Sequence, residues 1–244
     1  MNNSENFLTF KKNDWELILN LQGGRVAYLN YKNKSILGSF ARMDGKEGNT
    51  HLCLPNFGVE GEDKYGLPFH GFARTSYWKK EEESHQYLSI STWIKATHKY
   101  ESDLQVIQKF ILEKDYFQQE ISVTNQGGKS VPVNVGIHNY WNTIQGWDGL
   151  AINGYKVTDL VKENGYINIG AKNEIVFPIG KKVLWELTGF NRAVLWTAQK
   201  DNHYNTDFVC IEPVKEYALD YFGSPNSLLA PKKTFICSQK ISLG

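Results

Sequence analysis

The sequence predicts an all-β protein, an antiparallel β-sandwich, and three observations carry that reading. Short segments rich in β-branched and aromatic residues recur along the 244 residues, with polar and apolar positions alternating. Turn signals divide them. No segment carries a long apolar stripe at helical spacing, which argues against βαβ units.

Taken in order, WELILNL (15–21) runs into Gly23-Gly24, and RVAYLNY (25–31) follows. YLSISTWIK (87–95), LQVIQKFIL (104–112) and FQQEISVTN (117–125) alternate, and Gly127-Gly128 closes the last. VPVNVGIHNYW (131–141), AVLWTA (193–198), DFVCIEP (207–213) and TFICSQKIS (234–242) continue the pattern. ESDLQVIQKF also fits a helix, but the alternating run after it favours a hairpin. The stretch 38–72, rich in Gly, Pro, Asn and charge, reads as a long loop crossing one face, and loops of that length tend to be functional. With no repeat, low-complexity tract or linker, the reading is one domain over residues 1–244.

Composition narrows the function. Twenty-seven Lys and Arg against 26 Asp and Glu give a net charge of +1, too little for a nucleic-acid or anionic-membrane footprint. Gly and Pro, at 21 and 7, stand near average usage, so neither a collagen-like nor a disordered chain fits. No window approaches the roughly 20 apolar residues of a membrane-spanning helix, and the N-terminal stretch has no signal-peptide pattern. Cys53, Cys210 and Cys237 are odd in number and widely spaced, which speaks against a disulfide framework or a cysteine zinc site. A soluble, cytoplasmic protein is expected.

The six histidines (His51, His70, His85, His98, His138 and His203) include no i,i+4 pair and no HExxH, so no metal is expected. GxSxG, P-loop and GxGxxG signatures are also missing, which removes serine hydrolase, NTPase and dinucleotide readings. Four constellations remain. Pro55-Asn56-Phe57-Gly58 with His70-Gly71-Phe72-Ala73-Arg74 sets a histidine and an arginine four residues apart among glycines and aromatics; a capped turn with a surface Arg is the plain alternative. His138-Asn139-Tyr140-Trp141 ends a strand, where a histidine can also be a hydrogen-bonded edge residue. In Cys210-Ile211-Glu212-Pro213 a glutamate precedes a proline that blocks further ladder bonding; facing a cleft, burial raises its pKa towards general-base use, whereas facing solvent it is inert. Lastly, seven Trp and thirteen Tyr can stack on sugar faces or fill a core.

In order, these segments resemble the aldose 1-epimerase (galactose mutarotase-like) superfamily over most of the chain. The resemblance rests on Gly23-Gly24-Arg25-Val26, the CxPxFG stretch Cys53–Gly58, HGFAR at His70–Arg74 with Trp78 following, Val123-Thr124-Asn125, His138-Asn139-Tyr140-Trp141 and Cys210-Ile211-Glu212-Pro213. Pairing CxPxFG with HGFAR leans towards the glucose-6-phosphate 1-epimerase branch. The resemblance implies the supersandwich fold and an isomerase that interconverts the α and β anomers of a hexose or hexose 6-phosphate. It implies Glu212 as general base on the anomeric hydroxyl and His138 as general acid on the ring oxygen. His70, Arg74, Asn56, Tyr140 and Trp141 are then substrate-binding residues. It implies no metal and no cofactor, a small-molecule sugar as partner, and a monomer or weak homodimer. His51 and Asp148 are further candidates.

Two departures stand out. Glu47 falls where hexose-6-phosphate members carry an Arg, which leaves Lys46 or Arg42 as replacements, and Val194-Leu195-Trp196-Thr197-Ala198-Gln199 keeps only the first Trp of the family's VVWNPW. A non-catalytic sugar-binding protein on the same fold is the alternative function. A glycoside hydrolase needs a second carboxylate, for which no motif speaks.

Overall fold

The computed structural model describes residues 6–143, 146–163, 165–178, 182–201, 203–218 and 220–244. Two large antiparallel sheets pack face to face, as the alternating segments predict. The first opens with a meander of Phe7–Lys12, Trp15–Asn20, Arg25–Tyr31 and Lys34–Leu37. It continues through the interrupted run Gly136–His138 and Tyr140–Asn142 to Phe208–Val214, then Arg192–Trp196 and Tyr166–Asn168; His51–Cys53 pairs with the far side of Gly136–His138. The second sheet has nine strands, with Thr234–Leu243, Tyr116–Asn125, Leu104–Leu112 and Tyr87–Ile94 as adjacent long members. Leu104–Leu112 pairs along its whole length with Tyr116–Asn125, so the hairpin reading of this region holds over the helical one.

Alternation explains the layers. In Leu104–Leu112 every second residue is buried, and the same is true of Tyr116–Asn125. Their inward side chains join those of Trp15–Asn20, Trp141, Trp185 and Ile211 in one apolar cluster between the sheets. Phe208–Val214 breaks the alternation because it is buried at all seven positions. Val209 and Ile211 face the core between the sheets, whereas Phe208, Cys210 and Val214 pack into clusters on the opposite face. The stretch 38–72 covers that second face. It holds short strands, Phe40–Ala41, Glu47–Gly48 and His51–Cys53, and the single helical turn Glu62–Tyr65, more structure than its composition predicts. Val157–Lys162 is a short helix that the sequence reading did not anticipate; it buries only Val157 and Val161.

A chain of buried amides crosses the core beneath the site. Gln108 Nε2 donates to the Gly24 carbonyl at 2.9 Å, Gln119 Nε2 to Gln108 Oε1 at 2.6 Å, and Gln239 Nε2 to Gln119 Oε1 at 2.7 Å. Gln239 and Asn139 then exchange two hydrogen bonds, at 2.9 and 3.1 Å, and Trp185 Nε1 also donates to Gln239 Oε1. Each of these four amides is 0–1% exposed, so a missing partner leaves polar atoms stranded in apolar surroundings. Gln239→Leu strands Asn139, Gln119 and the Trp185 N–H together. Urea denaturation is expected to show a stability loss of at least about 2 kcal/mol. A loss within about 0.5 kcal/mol would show that the amide chain adds nothing net.

Candidate functional site

Strand register builds the site. Gly136 pairs with Val214 and Tyr140 with Cys210, so His138 lies directly opposite Glu212. His138 also pairs with His51 on its other side, and Glu212 with Val194, which pairs in turn with Tyr166. Five neighbouring strands thus align His51, His138, Glu212, Val194 and Tyr166 in one row on one face, because residues paired across strands share a face. Above this row lies a cavity of about 1300 Å³.

His138 Nε2 stands 3.3 Å from Glu212 Oε1, and both side chains are almost wholly buried. Burial pushes the Glu212 carboxyl well above its usual range and holds the His138 imidazole well below it; nearby imidazoles, Arg74 and Arg42 push the imidazole the same way. Both shifts favour a single proton on the pair. The neutral acid with a neutral imidazole and the carboxylate with an imidazolium carry the same number of protons and differ only in where that one sits. The His138 ring packs against His51, with centroids 4.8 Å apart, and against Tyr140, at 5.0 Å, and those two rings are themselves 6.4 Å apart. Cys210 completes a trio whose potential metal-ligating atoms lie within 4.8 Å of one another. Burial pushes the Cys210 thiol well above its usual range.

His70 reaches the cavity from the long loop. It takes a left-handed backbone at φ 60°, followed by Gly71 at φ 72°, where a side chain would run into the Leu54 carbonyl. The turn is clamped twice: the His70 amide donates to the Gly58 carbonyl at 2.8 Å, and the Gly58 amide donates to His70 Nδ1 at 3.0 Å. Because Nδ1 accepts, the ring proton sits on Nε2. Burial first, and then the Arg74 charge, lower its pKa to about 3, so His70 is a neutral hydrogen-bond donor. His51 is set the opposite way. Its Nδ1 lies 2.9 Å from the Asn49 carbonyl and must donate there, which leaves Nε2 a buried acceptor with no partner among the described residues. Burial holds this ring neutral too, helped by Arg25 and Arg74.

The cations differ in how they are held. Arg25 donates to Asn49 Oδ1 at 2.8 Å and to the Arg74 carbonyl at 3.0 Å, tying the early Gly-Gly-Arg turn to HGFAR. Arg42 ion-pairs with Asp44 at 2.7 Å and lies over Trp196, 4.9 Å from the ring centroid. Arg192 meets Glu216 at 3.5 Å. Lys46 and Arg74 line the cavity with no ion pair among the described residues.

Of the residues singled out in the sequence, the structure gathers His138, Glu212, His70, Arg74 and Tyr140 around the cavity. Two others lie elsewhere. Trp141 is fully buried on the opposite face, against Trp185 and Phe177, because it is odd-numbered in a strand whose even positions face the cavity. Asn56 is buried behind the wall and braces the loop by donating to the Gly58 and Pro68 carbonyls. Neither lines the cavity, so both are corrected from substrate-binding to structural positions. Asp148 is exposed and outside the cavity, while His51, Arg42 and Lys46 do line it. The sequence reading missed Arg25, Tyr166, Arg192 and Tyr217 as lining residues. Arg25 was visible in its motif; the others carry no local signal.

The profile of the aldose 1-epimerase family matches residues 12–165, more than half of the chain. The chain belongs to the aldose 1-epimerase family. Solved structures agree at the level of fold. A galactose mutarotase-like protein from Lactobacillus casei ATCC 334 superposes with a TM-score of 0.77 at 16% identity, covering 98% of this chain and 100% of that one. The Slr1438 protein from Synechocystis sp. PCC 6803 gives 0.78 at 16% identity over 98% and 95%. A galactose mutarotase related enzyme from Lactobacillus acidophilus gives 0.76 at 14% identity over 98% and 97%. No curated protein sequence matches the chain. No helix among the described residues is long and apolar enough to cross a membrane.

The depressed pKa of His70 in this epimerase-family site has a stability consequence. The group is neutral when folded and titrates near 6.5 when unfolded. Its contribution is therefore complete above pH 6.5 and is lost as pH falls towards about 3. His70→Gln keeps an acceptor for the Gly58 amide but removes the titration. Between pH 6 and pH 4.5 the variant should lose about 2 kcal/mol less unfolding free energy than the wild type. Equal losses in urea titrations at the two pH values would mean that His70 is not held neutral.

Proposed function

We propose that the protein interconverts the α and β anomers of an aldohexose, with Glu212 and His138 as the acid–base pair. The observation that carries this reading is their 3.3 Å contact across two paired strands at the floor of the cavity. Ring opening needs a base at the anomeric hydroxyl and an acid at the ring oxygen. These two oxygens are bonded to the same carbon, so acid and base must nearly touch. A pair holding one proton suits this chemistry. As Glu212 takes the proton from O1, the shared proton passes through His138 Nε2 to the ring oxygen. The open-chain aldehyde turns about C1–C2, and closure on its other face runs the transfers in reverse. The pair ends as it began, so no external acid or base is consumed.

The surroundings support the same reading. His70 Nε2–H is a fixed neutral donor, and the Arg74 guanidinium is free to bind a hydroxyl or the oxygen that gains charge. Tyr140 offers a flat face beside His138. For the phosphorylated variant of the substrate, Lys46 and Arg74 are the lining cations that no ion pair among the described residues engages, whereas Asp44 already engages Arg42. Three buried free cysteines support a reducing, cytoplasmic setting.

Anomer exchange followed by NMR on freshly dissolved α-glucose, α-galactose and glucose 6-phosphate tests the proposal. Wild-type protein is expected to speed equilibration of at least one sugar. Glu212→Gln and His138→Gln should each lower kcat by about 10²–10⁴. Line broadening without faster exchange would instead support a sugar-binding protein that does no chemistry.

A further inference from the structure

We propose that the cavity holds a second sugar ring against Tyr166 and Tyr217, and that the preferred substrate is a reducing disaccharide whose terminal ring lies on the His138–Glu212 pair. The proposal rests on the anomer-converting reading above and extends the same site. At about 1300 Å³ the cavity exceeds the roughly 300–1,000 Å³ that encloses a drug-sized ligand, whereas one pyranose is far smaller than such a ligand. Tyr166 stands two strands beyond Glu212 in the same row, about 10 Å at the usual strand spacing. That distance puts it beside a second ring rather than the first.

The chemistry beside Tyr166 is what a sugar ring requires. Tyr166 and Tyr217 are 51% and 39% exposed, yet their rings touch with centroids 5.2 Å apart, and Tyr217 packs edge-on to Phe57 at 6.0 Å. Phenol rings already braced by each other can stack on an apolar sugar face with little further ordering. Beside them lies the Arg192–Glu216 pair, which offers planar donors and acceptors to ring hydroxyls. The lining also carries Glu60, fixed by Asn134 at 2.8 Å, so Arg192 is outnumbered by carboxyl groups. That arrangement disfavours a phosphate and suits an uncharged polyol.

The test compares kcat/KM for anomer exchange of glucose, maltose and cellobiose, using wild type and the Tyr166→Ala, Tyr217→Ala double variant. At least one disaccharide should exceed glucose by fivefold or more in the wild type. The ratio of disaccharide to glucose should fall at least fivefold in the double variant; taking the ratio within one preparation cancels any loss of active protein. Glucose preferred over both disaccharides, or a ratio that the double variant leaves unmoved, overturns the subsite. Calorimetry with Glu212→Gln keeps this separate from the function itself. If no sugar turns over, the anomer-converting reading fails, and tighter binding of a disaccharide than of glucose still decides for the second-ring site, while equal binding decides against it.

Discussion

The site depends on one constraint: two ionisable side chains, buried from water, are held tip to tip by the register of two antiparallel strands. In water such a pair would ionise independently. Inside the sandwich each is pushed towards its neutral form, which favours one proton between them. The surrounding structure keeps water away from that contact and keeps the two tips aligned. A sheet open to solvent on that face would give an ordinary exposed carboxylate and an ordinary imidazole.

Both faces of the central strands contribute. On the inner face, the buried amide chain ends on Asn139, the residue between His138 and Tyr140, so the backbone that aims His138 is tied to three strands of the opposite sheet. On the outer face, the loop 38–72 closes over the row and delivers His51 and the clamped His70 turn. Gly48 belongs to that cover: a side chain there would run into the Tyr140 ring, so the loop can lie directly on it. One element therefore supplies both burial and the hydrogen-bonding groups, which is why so long a connection persists in a compact fold.

The fold was largely legible in the sequence because half-buried strands leave a period of two, as at 104–112 and 117–125. Short strands inside 38–72 were not, since they are held by tertiary pairing and not by their own composition. His138 and Glu212 were found through motifs; spacing alone could not pair residues 74 positions apart, and only register joins them. Trp141 shows the reverse. The same alternation that placed His138 and Tyr140 on one face already put Trp141 on the other, and assigning it to the sugar overrode that pattern. Tyr166 and Tyr217 lay beyond reach because they meet only through strand pairing and a distant turn.

The pH dependence of kcat/KM for anomer exchange tests the shared proton most directly. The active free protein carries one proton on the pair, so activity falls when a second is added and when the first is lost. With His138 depressed, the account predicts an acid limb that lies below pH 6.5. An acid limb centred on 6.5, the ordinary value of a solvent-exposed histidine, would contradict it.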